Sequence, residues 1–341
     1  MNILFLVRKF YPDIGGVEKH VFEISKRLTT LGHKVTIISE GKMSKDILNF
    51  EKFFRIKVIK IDAGKNEKKK KFIIWKWFWK NRNLINEADL IHCHDVFYWY
   101  LPFRFLYFKK PIFTTFHGYE EYPVRKSAVL VRKISEKLSW GNICIGDFIK
   151  KWYGTKPSFI SYGAVDIVKG KDQKTEGNKK SAVFIGRLDE QTGILTYAKA
   201  VKAIKKKYSE FKFLIVGDGK YRKIVSKTGK VIGWQKNPEK YFKNYRFAFV
   251  SRYLSILEAF AAKKLVFAVY DNAIKRDYLK MAPFAKLMII ENNAENLAAR
   301  VEEFLNSPQK EKKMVDNAYA WVKKQTWEGM VNLYLKLWKV K

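Results

Sequence analysis

Short apolar runs alternate along the chain with longer segments of helical periodicity. The first run, Asn2 to Val7, is followed by a glycine pair and a helical pattern from Val17 to Leu31. Gly32 ends that pattern, and Lys34 to Ser39 predicts the next strand. Strand, glycine-rich loop, helix and strand form a βαβ unit, which predicts a parallel sheet.

The alternation then continues through two halves of similar size. In the first half, the further predicted strands are 55–61, 88–93, 111–116, 142–146 and 158–161. A polar segment, Lys169 to Lys180, has no apolar periodicity and predicts a linker. After it, the predicted strands are 181–186, 211–217, 230–233, 247–251, 265–270 and 286–291, and the predicted helices are 194–208, 255–263, 294–306, 310–324 and 327–341. The sequence therefore predicts an α/β protein with two domains.

Composition supports this division and adds a strong charge bias. A chain of 341 residues is long enough for two domains, and 47% hydrophobic with 30% charged residues is typical of a globular protein. The 68 Lys and Arg residues against 33 Asp and Glu give a formal net charge of +35. Such an excess must form basic surface, so we expect polyanionic partners: phosphorylated substrates, nucleic acid or anionic lipid.

Cysteine and apolar content indicate a cytoplasmic protein. Cys93 and Cys144 lie in apolar runs, which favours buried reduced thiols over a disulfide framework. The first apolar run is too short for a signal peptide, and no stretch of 18 uncharged apolar residues predicts a membrane span.

Two loops after predicted strands are candidate phosphate sites. Gly15 and Gly16 lie between the first strand and the first helix, where free N–H groups and the helix dipole favour an anion. A tight turn that merely requires glycine is the alternative. Arg187 follows the strand 181–186 and, at the carboxyl end of a parallel strand, is placed for a diphosphate. In so basic a chain, an ordinary solvated arginine is the alternative.

The second half contains further candidates at strand ends and at a helix start. Gly217, Asp218 and Gly219 end one strand and Gly233 ends another, which suits either a turn or backbone contact with a ligand. Ser255 and Glu258 form an S-x-x-E pattern, which predicts a capping box at the head of a helix. The functional alternative for Glu258 is a carboxylate that accepts two ribose hydroxyls.

The histidines give one candidate and one exclusion. His117 follows the strand 111–116 and precedes a glycine, again at a carboxyl end. His92 and His94 flank Cys93, but alternation along a strand puts Cys93 on the opposite face and no further ligand pair is evident, so we expect no metal site. The sequence has no nucleophile elbow and no P-loop.

A basic aromatic segment covers residues 64–82. Aromatic and basic side chains are interleaved there at helical spacing, and a helix of this kind can lie in the headgroup plane of a membrane, the membrane-facing residues being Phe72, Trp75, Lys76, Trp79 and Lys80. The segment 97–110 is a second candidate. An ordinary core-facing helix with a solvated basic side is the alternative. No known nucleic-acid motif appears, so we do not expect nucleic acid as a partner.

Taken in order, several segments resemble the family-4 retaining glycosyltransferases of the GT-B fold. The matching features run from the first strand to the C-terminal residues: ILFLVRKFYPDIGGVEKHVFEISKRLTTLGHKVTI, IHCHD, FTTFHG, SYGAVD, FIGRL, FLIVGDG, LEAFAAKK and WEGMVNLYLKLW. The resemblance covers essentially the whole chain. It implies two Rossmann-like domains facing a cleft, 1–168 and 181–326, joined by the linker 169–180, with the helix 327–341 crossing back to the first domain.

The resemblance also implies roles for the candidate residues. Gly15 and Gly16 would approach the donor diphosphate or the sugar, and His117 would contact the donor sugar near the reacting carbon. Arg187 would pair with the diphosphate and Glu258 would hold the ribose. The remaining residues implied at the donor are Gly217, Asp218, Gly219, Gly233 and Ser255.

The implied activity is metal-independent transfer of a hexose-like sugar, without a cofactor, from a nucleotide diphosphate donor to a glycan or lipid-linked acceptor. We expect this at the inner face of an anionic membrane, in cell-envelope glycan synthesis. The chain departs from the family pattern at Thr192, where a lysine is usual, and at Val250, where a second glutamate is usual. The alternative is therefore a non-catalytic family member that binds nucleotide or glycan.

Overall fold

The computed structural model describes residues 1–13, 15–167 and 178–339. The chain divides into two compact units. Met1–Ser161 and the segment that begins at Trp327 form the first unit, and Tyr162–Thr326 forms the second. The division falls a few residues before the expected boundary at 168, because the Val165 N–H donates to the Gln325 carbonyl 2.9 Å away within the second unit. Most of the predicted linker 169–180, up to residue 177, lies outside the described residues.

The first unit contains a seven-stranded parallel sheet. In chain order its strands are β1 Asn2–Val7, β2 Lys34–Glu40, β3 Lys57–Ile61, β4 Leu90–His94, β5 Ile112–Phe116, β6 Gly141–Ile145 and β7 Phe159–Ser161. They pair in the order β3-β2-β1-β4-β5-β6-β7. Both faces of the central strands are buried, which is why β1 shows as a continuous apolar run in the sequence. β4 and β5 are buried as well but carry the polar residues His92, His94, Thr114 and Thr115.

Helices connect these strands as crossovers. They are α1 Gly16–Thr30, α2 Lys45–Phe54, α3 Glu67–Lys80, α4 Asn83–Glu87, α5 Leu101–Leu106, α6 Lys126–Leu138 and α7 Asp147–Tyr153, with a 3-10 turn at Phe97–Trp99. Ile74 and Phe78 of α3 lie one turn apart and are fully buried with Phe103 of α5 and with β4 side chains. This apolar cluster covers one face of the first sheet.

The second unit contains a six-stranded parallel sheet. Its strands are β8 Asn178–Ile185, β9 Lys212–Val216, β10 Lys230–Val231, β11 Tyr245–Phe249, β12 Leu265–Val269 and β13 Ile289–Glu291, in the order β10-β9-β8-β11-β12-β13. Its helices are α8 Ile194–Lys207, α9 Arg222–Val225, α10 Tyr253–Ala261, α11 Ala273–Lys280, α12 Ala294–Leu305 and α13 Pro308–Val322, with 3-10 turns at Glu190–Thr192, Pro238–Asn244 and Ala285–Leu287. A core of β8, β9, β11 and β12 side chains packs against α8 and α12.

The last helix, α14 (Trp327–Lys339), packs within the first unit. Its apolar face includes Trp327, Met330, Val331, Tyr334 and Leu337, all buried. The Leu337 side chain lies so close to Gly141 of β6 that a Cβ at that glycine would be 2.7 Å from Leu337 Cδ1. The predicted α/β class with two parallel sheets is confirmed, and the chain that completes the first unit comes from both ends of the sequence.

Candidate functional site

The carboxyl edge of the second sheet gathers the loops that the sequence singles out. Arg187 follows β8, Gly217 follows β9, and Arg252 comes shortly after β11. These three strands are neighbours and run parallel, so their carboxyl ends share one edge of the sheet. Ligands of open α/β sheets bind outside that edge. This edge is the candidate donor site.

Arg187 is accessible there. Its side chain is 66% exposed, and its Nε lies 3.0 Å from Asp189 Oδ2. Its Nη2 also donates to Gln191 Oε1 at 3.3 Å. Both partners lie in the same loop, so the guanidinium is oriented by its near neighbours while remaining open to solvent.

The loop that carries Arg187 packs backbone to backbone on the loop after β9. Gly217 and Gly219 have φ of 144° and 153°, which side chains rarely adopt. A Cβ at Gly217 would lie 1.9 Å from the Gly186 oxygen, and one at Gly219 would lie 2.7 Å from the Leu188 oxygen. The Leu188 N–H donates to the Asp218 carbonyl at 2.9 Å. Loop packing therefore requires both glycines, and it fixes the Arg187 loop.

The other predicted residues near the base take part in turns. The Asp218 carboxylate pairs with Arg222 and accepts the Gly219 N–H at 2.8 Å. The Gly233 carbonyl accepts the Gly217 N–H at 2.9 Å, and Gly233 has φ of 75°. The turn alternative accounts for these positions, and their contact with a ligand stays a prediction.

Thr192 stabilises the Arg187 loop through its hydroxyl. The resemblance leads us to expect a lysine at this position. It is buried in the turn Glu190–Thr192, and its hydroxyl lies 2.8 Å from the Arg187 carbonyl and 2.9 Å from the Asp189 carbonyl. Its single proton serves these two acceptors. Thr192 thus stabilises the loop and supplies no charge to a ligand.

The predicted capping box at Ser255 is wrong. Helix α10 begins at Tyr253, so Ser255 lies inside its first turn and is not the N-cap. Arg252 is the N-cap, in an extended conformation, and the Tyr253 N–H donates to the Tyr278 hydroxyl at 2.7 Å. A long-range tyrosine therefore takes one of the free N–H groups that a capping side chain would satisfy. Glu258 is 6% exposed on the same helix, and its contact with a ribose stays a prediction.

The sequence prediction left out two basic residues of this edge. Arg252 Nη1 donates to Gln191 Oε1 at 3.4 Å, the same oxygen that accepts from Arg187. Lys275 of α11 is 2% exposed, and its Nζ donates to the Ser251 carbonyl. Burial lowers the Lys275 pKa well below the usual value, and the nearby Arg252 charge lowers it further. Arg252 could have been found by the rule that singled out Arg187, a basic residue just past a strand. Lys275 offers no such signal.

At the first sheet, Gly15 and Gly16 lie at the N-terminus of α1. Gly15 is the N-cap, and no side chain caps this end of the helix. The Glu18 carboxylate lies close to Gly15, since a Cβ there would be 2.5 Å from Glu18 Oε2. A Cβ at Gly16 would meet no atom within 4 Å. An anion would therefore have to share the helix end with Glu18, whereas a neutral group such as a sugar finds open space beside Gly16.

Four histidines of the first unit, His20, His92, His94 and His117, form what we call the histidine cluster. A chain of hydrogen bonds runs through it from α14. The Trp338 indole N–H donates to His92 Nδ1 at 3.0 Å, so the His92 proton is on Nε2 and is donated to the Thr115 hydroxyl at 2.8 Å. Thr115 and Tyr334 hydroxyls are 2.9 Å apart, and the Tyr334 hydroxyl is 2.9 Å from His20 Nε2. Each donor along this chain thus faces an acceptor.

His117 lies at the open end of the histidine cluster. Its Nε2 is 2.9 Å from His94 Nδ1, and its backbone N–H donates to the Asp95 carboxylate at 3.0 Å. His94 Nε2 is buried and has no partner among the described residues. A proton on that atom would be a buried unpaired donor, costing about 1–3 kcal/mol. His94 therefore donates to His117, and the His117 proton lies on Nδ1.

Burial keeps the histidine cluster neutral. It lowers the pKa of His20, His92 and His94 well below the usual value, and neighbouring histidines add to the effect. Desolvation and the neighbouring His92 also lower the pKa of the partly exposed His117. A neutral His117 with its proton on Nδ1 can donate a hydrogen bond to a neutral ligand group. In the part of the chain that the structure describes, no group of three or more His, Cys, Asp or Glu side chains is arranged to hold a metal ion.

The basic aromatic segment forms α3 and has two sides. Phe72 and Trp79 are 57% and 55% exposed, with Lys76 and Lys80 exposed beside them. Trp75 is partly buried, and its indole N–H donates to the Tyr98 carbonyl at 2.9 Å. The inner side of the helix belongs to the core and its outer side presents aromatic rings among lysines, so each sequence interpretation describes one side.

Comparison with known proteins follows the same two halves. The model of Glycosyltransferase Family 4 matches residues 14–156, and that of Glycosyl transferases group 1 matches residues 166–321. Between them they span most of the chain. The chain belongs to the group 1 glycosyltransferases. The resemblance seen in the sequence is confirmed.

Individual relatives of this glycosyltransferase differ in how much they match. The uncharacterized glycosyltransferase MJ1178 of Methanocaldococcus jannaschii is 25% identical over 354 residues, covering 94% of this chain and 93% of that protein. A 40-residue segment is 48% identical to the phosphatidylinositol N-acetylglucosaminyltransferase GPI3 subunit of Saccharomyces cerevisiae, and it spans 12% of this chain and only 9% of that subunit. Anabaena Alr3699/HepE in complex with UDP and glucose superposes with a TM-score of 0.75 at 14% identity over 98% of each chain. The fold is the GT-B fold, as predicted.

Proposed function

We propose that this glycosyltransferase moves a sugar, with retention of configuration, from a nucleotide diphosphate sugar to a glycan or lipid-linked acceptor at a membrane surface. Membership of the family supports sugar transfer. The structural neighbour in complex with UDP and glucose supports the class of donor. The proposed membrane surface is supported by exposed apolar side chains of α3 and α5.

The accessible Arg187 guanidinium carries the proposal. It lies at the carboxyl edge of a parallel sheet, and the N-terminus of α8 follows it after the Gly193 N-cap. A fixed guanidinium and the first N–H groups of a 14-residue helix together favour a diphosphate. When the bond between the sugar carbon and the diphosphate oxygen of the donor breaks, negative charge grows on the departing diphosphate, and the same groups stabilise it.

The proton of the acceptor needs no separate base in a retaining front-face reaction. The departing phosphate oxygen accepts that proton while the acceptor oxygen bonds to the sugar carbon on the same face. His117 then serves the donor sugar as a neutral hydrogen-bond donor through Nδ1, and Glu258 accepts from the ribose hydroxyls. A neutral histidine can donate, and an ionised carboxylate can accept, the hydrogen bonds that these roles require.

The outer side of α3 supports a membrane as the place of action. Exposed aromatic rings beside lysines are typical of an interface with anionic lipid. Exposed apolar side chains of α5 and the turn after it, Phe105, Leu106 and Phe108, lie in the second predicted segment. No helix of the described residues has the length and hydrophobicity to span a bilayer. We propose peripheral binding to the cytoplasmic face of a membrane, where a lipid-linked acceptor is found.

The donor site is tested by turnover. Purified protein is incubated with UDP-, GDP- or ADP-sugars and a lipid extract, and release of the nucleoside diphosphate is followed. Arg187→Ala is expected to slow release roughly 10- to 150-fold, because it loses charge-assisted hydrogen bonds worth about 1.5–3 kcal/mol. Lys207→Ala, which removes a paired cation from the far end of α8, is the control and should react like wild type. Undiminished turnover by Arg187→Ala would contradict the donor site.

Membrane binding is tested with vesicles. The protein should sediment with anionic vesicles at low salt and be released at high salt. Replacing Phe72 and Trp79 with Ala should weaken binding even at low salt. Phe53→Ala is the matched control, since Phe53 of α2 is 79% exposed but lies outside the basic aromatic segment. If all variants bind anionic vesicles like wild type, or if wild type binds neutral and anionic vesicles equally, α3 is an ordinary core-facing helix.

Two observations favour the alternative, a non-catalytic family member that binds nucleotide or glycan. Thr192 supplies no cation, and Val250 is fully buried and has no polar group for a sugar hydroxyl. Binding of a nucleoside diphosphate without release from any donor sugar, at any lipid composition, would support this alternative.

A further inference from the structure

We propose that Arg252 supplies the second cation of the donor-diphosphate site, in place of the lysine that is absent at Thr192. The inference rests on the proposed function, because it assigns a residue to the same site. The two guanidinium groups of Arg187 and Arg252 would then receive the diphosphate together.

The two guanidinium groups are neighbours in space. Gln191 Oε1 accepts from Arg187 Nη2 at 3.3 Å and from Arg252 Nη1 at 3.4 Å, so these nitrogens lie within about 7 Å of each other. The residues are more than sixty positions apart in sequence, but β8 and β11 pair in parallel and end at the same edge. One amide oxygen thus orients both groups toward the same place.

The charge at this place is unbalanced. Asp189 is the carboxylate paired with Arg187, and none of the ion pairs in the described parts of the chain includes Arg252. The partly exposed Arg252 instead lies 5.8 Å from the centre of the Tyr278 ring. Two like charges repel when they are held close together, and a dianion between them removes that repulsion. The pair is therefore suited to bind a diphosphate.

Other cations of this edge are engaged. Lys220 pairs with Glu190 and Arg222 pairs with Asp218, so each already faces a carboxylate. The Lys275 amine is buried and donates to a backbone carbonyl. Unlike Lys220, Arg222 and Lys275, Arg252 is a basic side chain close to Arg187 that neither pairs with a carboxylate in the described residues nor is fully buried. It offers planar bidentate donors, which match phosphate oxygens better than the point charge of a lysine.

The backbone around Arg252 is held on both sides. Lys275 Nζ donates to the carbonyl of Ser251, immediately before it. The N–H of Tyr253, immediately after it, donates to the Tyr278 hydroxyl at 2.7 Å, and the two tyrosine rings stack 3.9 Å apart. Burying a lysine costs free energy, and the hydrogen bond to the Ser251 carbonyl offsets part of that cost. The segment it fixes begins with Arg252, which makes Lys275 a positioning residue.

The test compares the binding of UDP and of uridine by calorimetry, or of the GDP and ADP pairs if those nucleotides bind more tightly. Arg252→Ala should weaken UDP binding at least tenfold, about 1.4 kcal/mol, while uridine binding stays unchanged. Arg252→Lys should recover part of the loss. Lys207→Ala serves as the charge-matched control.

The outcomes separate this inference from the proposed function. If wild type binds none of the three nucleoside diphosphates, the proposed function fails. If wild type binds UDP and Arg187→Ala weakens it, but Arg252→Ala binds like wild type, only this inference is overturned. An Arg252→Ala variant that loses UDP and uridine binding by the same factor would also overturn it, since the effect would then concern the base and not the phosphates. A thermal melt of each variant confirms that the second unit remains folded.

Discussion

Tyr334 of α14 connects the C-terminal helix to helix α1 and to strand β5 through one hydroxyl, so Tyr334→Phe removes both connections with little change in shape. The hydroxyl is 2.9 Å from His20 Nε2 and 2.9 Å from Thr115 Oγ1, and Tyr334 is fully buried. Phenylalanine keeps the apolar contacts of the ring, which stacks on His92 at 4.8 Å between centres.

The expected loss follows from the groups that stay behind. The His20 nitrogen and the Thr115 hydroxyl are both buried. Without the Tyr334 hydroxyl, His20 Nε2 loses its partner, while the Thr115 hydroxyl still accepts from His92 Nε2 but has no acceptor for its own proton. Leaving one buried polar group unsatisfied costs about 1–3 kcal/mol. With His20 Nε2 unsatisfied and the Thr115 hydroxyl only partly satisfied, we expect Tyr334→Phe to lower the free energy of unfolding of the first unit by about 2–3 kcal/mol.

Urea unfolding followed by tryptophan fluorescence measures this loss, because Trp327 and Trp338 lie on the same helix. Tyr107→Phe is the control: the Tyr107 hydroxyl has no hydrogen-bond partner in the described ranges, so that variant should change by less than about 0.5 kcal/mol. A double variant with Thr115→Val should be less destabilised than the sum of the single changes, since it removes both ends of one hydrogen bond. A Tyr334→Phe variant as stable as wild type would show that the hydrogen bonds do not hold α14 in place.

Three further predictions follow from the two sheet edges. Burial lowers the pKa of the three buried histidines of the cluster, so the unfolded chain binds more protons than the folded chain below about pH 6.5. The free energy of unfolding should therefore fall as the pH drops from 7.5 to 5.5, with a slope approaching about 1.4 kcal/mol per pH unit for each histidine, and equal urea midpoints at both pH values would refute this. Glu258→Gln should leave the melting temperature nearly unchanged and weaken UDP binding at least tenfold, about 1.4 kcal/mol, in a calorimetric titration, whereas equal affinity would remove Glu258 from the donor site. Gly217→Ala should destabilise the second unit by more than about 2 kcal/mol, because its Cβ would lie 1.9 Å from the Gly186 oxygen at a φ of 144°. Gly16→Ala is the control, since a Cβ there meets no atom within 4 Å, and equal melting temperatures of the two variants would contradict the loop packing.

Most of the fold could be predicted because its parallel strands are buried on both faces. Such strands appear as short runs that are apolar throughout, as in 265–270, or mostly apolar and β-branched, as in 111–116. These two predicted strands differ from β12 and β5 by one residue at an end. The rule fails where an apolar run has another use. The predicted strand 286–291 contains the end of a 3-10 turn before β13, and the predicted strand 230–233 shortens to Lys230–Val231. No residue of that turn is buried, Lys230 is exposed and Val231 is half-buried, so in neither place does the apolar pattern mark a fully buried strand.

The residues of the candidate site could be predicted only where their position relative to a nearby strand in the sequence indicates their place in the fold. Arg187 and the glycines after β9 were identified by their position at strand ends. The capping box failed because the S-x-x-E spacing also occurs within a helix, and here a hydroxyl from Tyr278 takes the N–H at its start. The link between His20 and Tyr334 joins residues 314 positions apart. No spacing rule finds a contact of that separation.

The first unit is built from two stretches of chain, one before and one after the second unit in the sequence, and this order has a consequence for biosynthesis. During synthesis, Tyr162–Thr326 is continuous and has its own core, so it can fold as soon as it leaves the ribosome. The first unit must wait for α14, because until then His20 and Thr115 lack the Tyr334 hydroxyl and the sheet face beneath the helix is uncovered. The N-terminal sheet, although made first, is therefore the last part of the molecule to reach its final packing. A fragment ending at Ser161 would expose that face permanently, so it should aggregate unless α14 is supplied as a separate peptide.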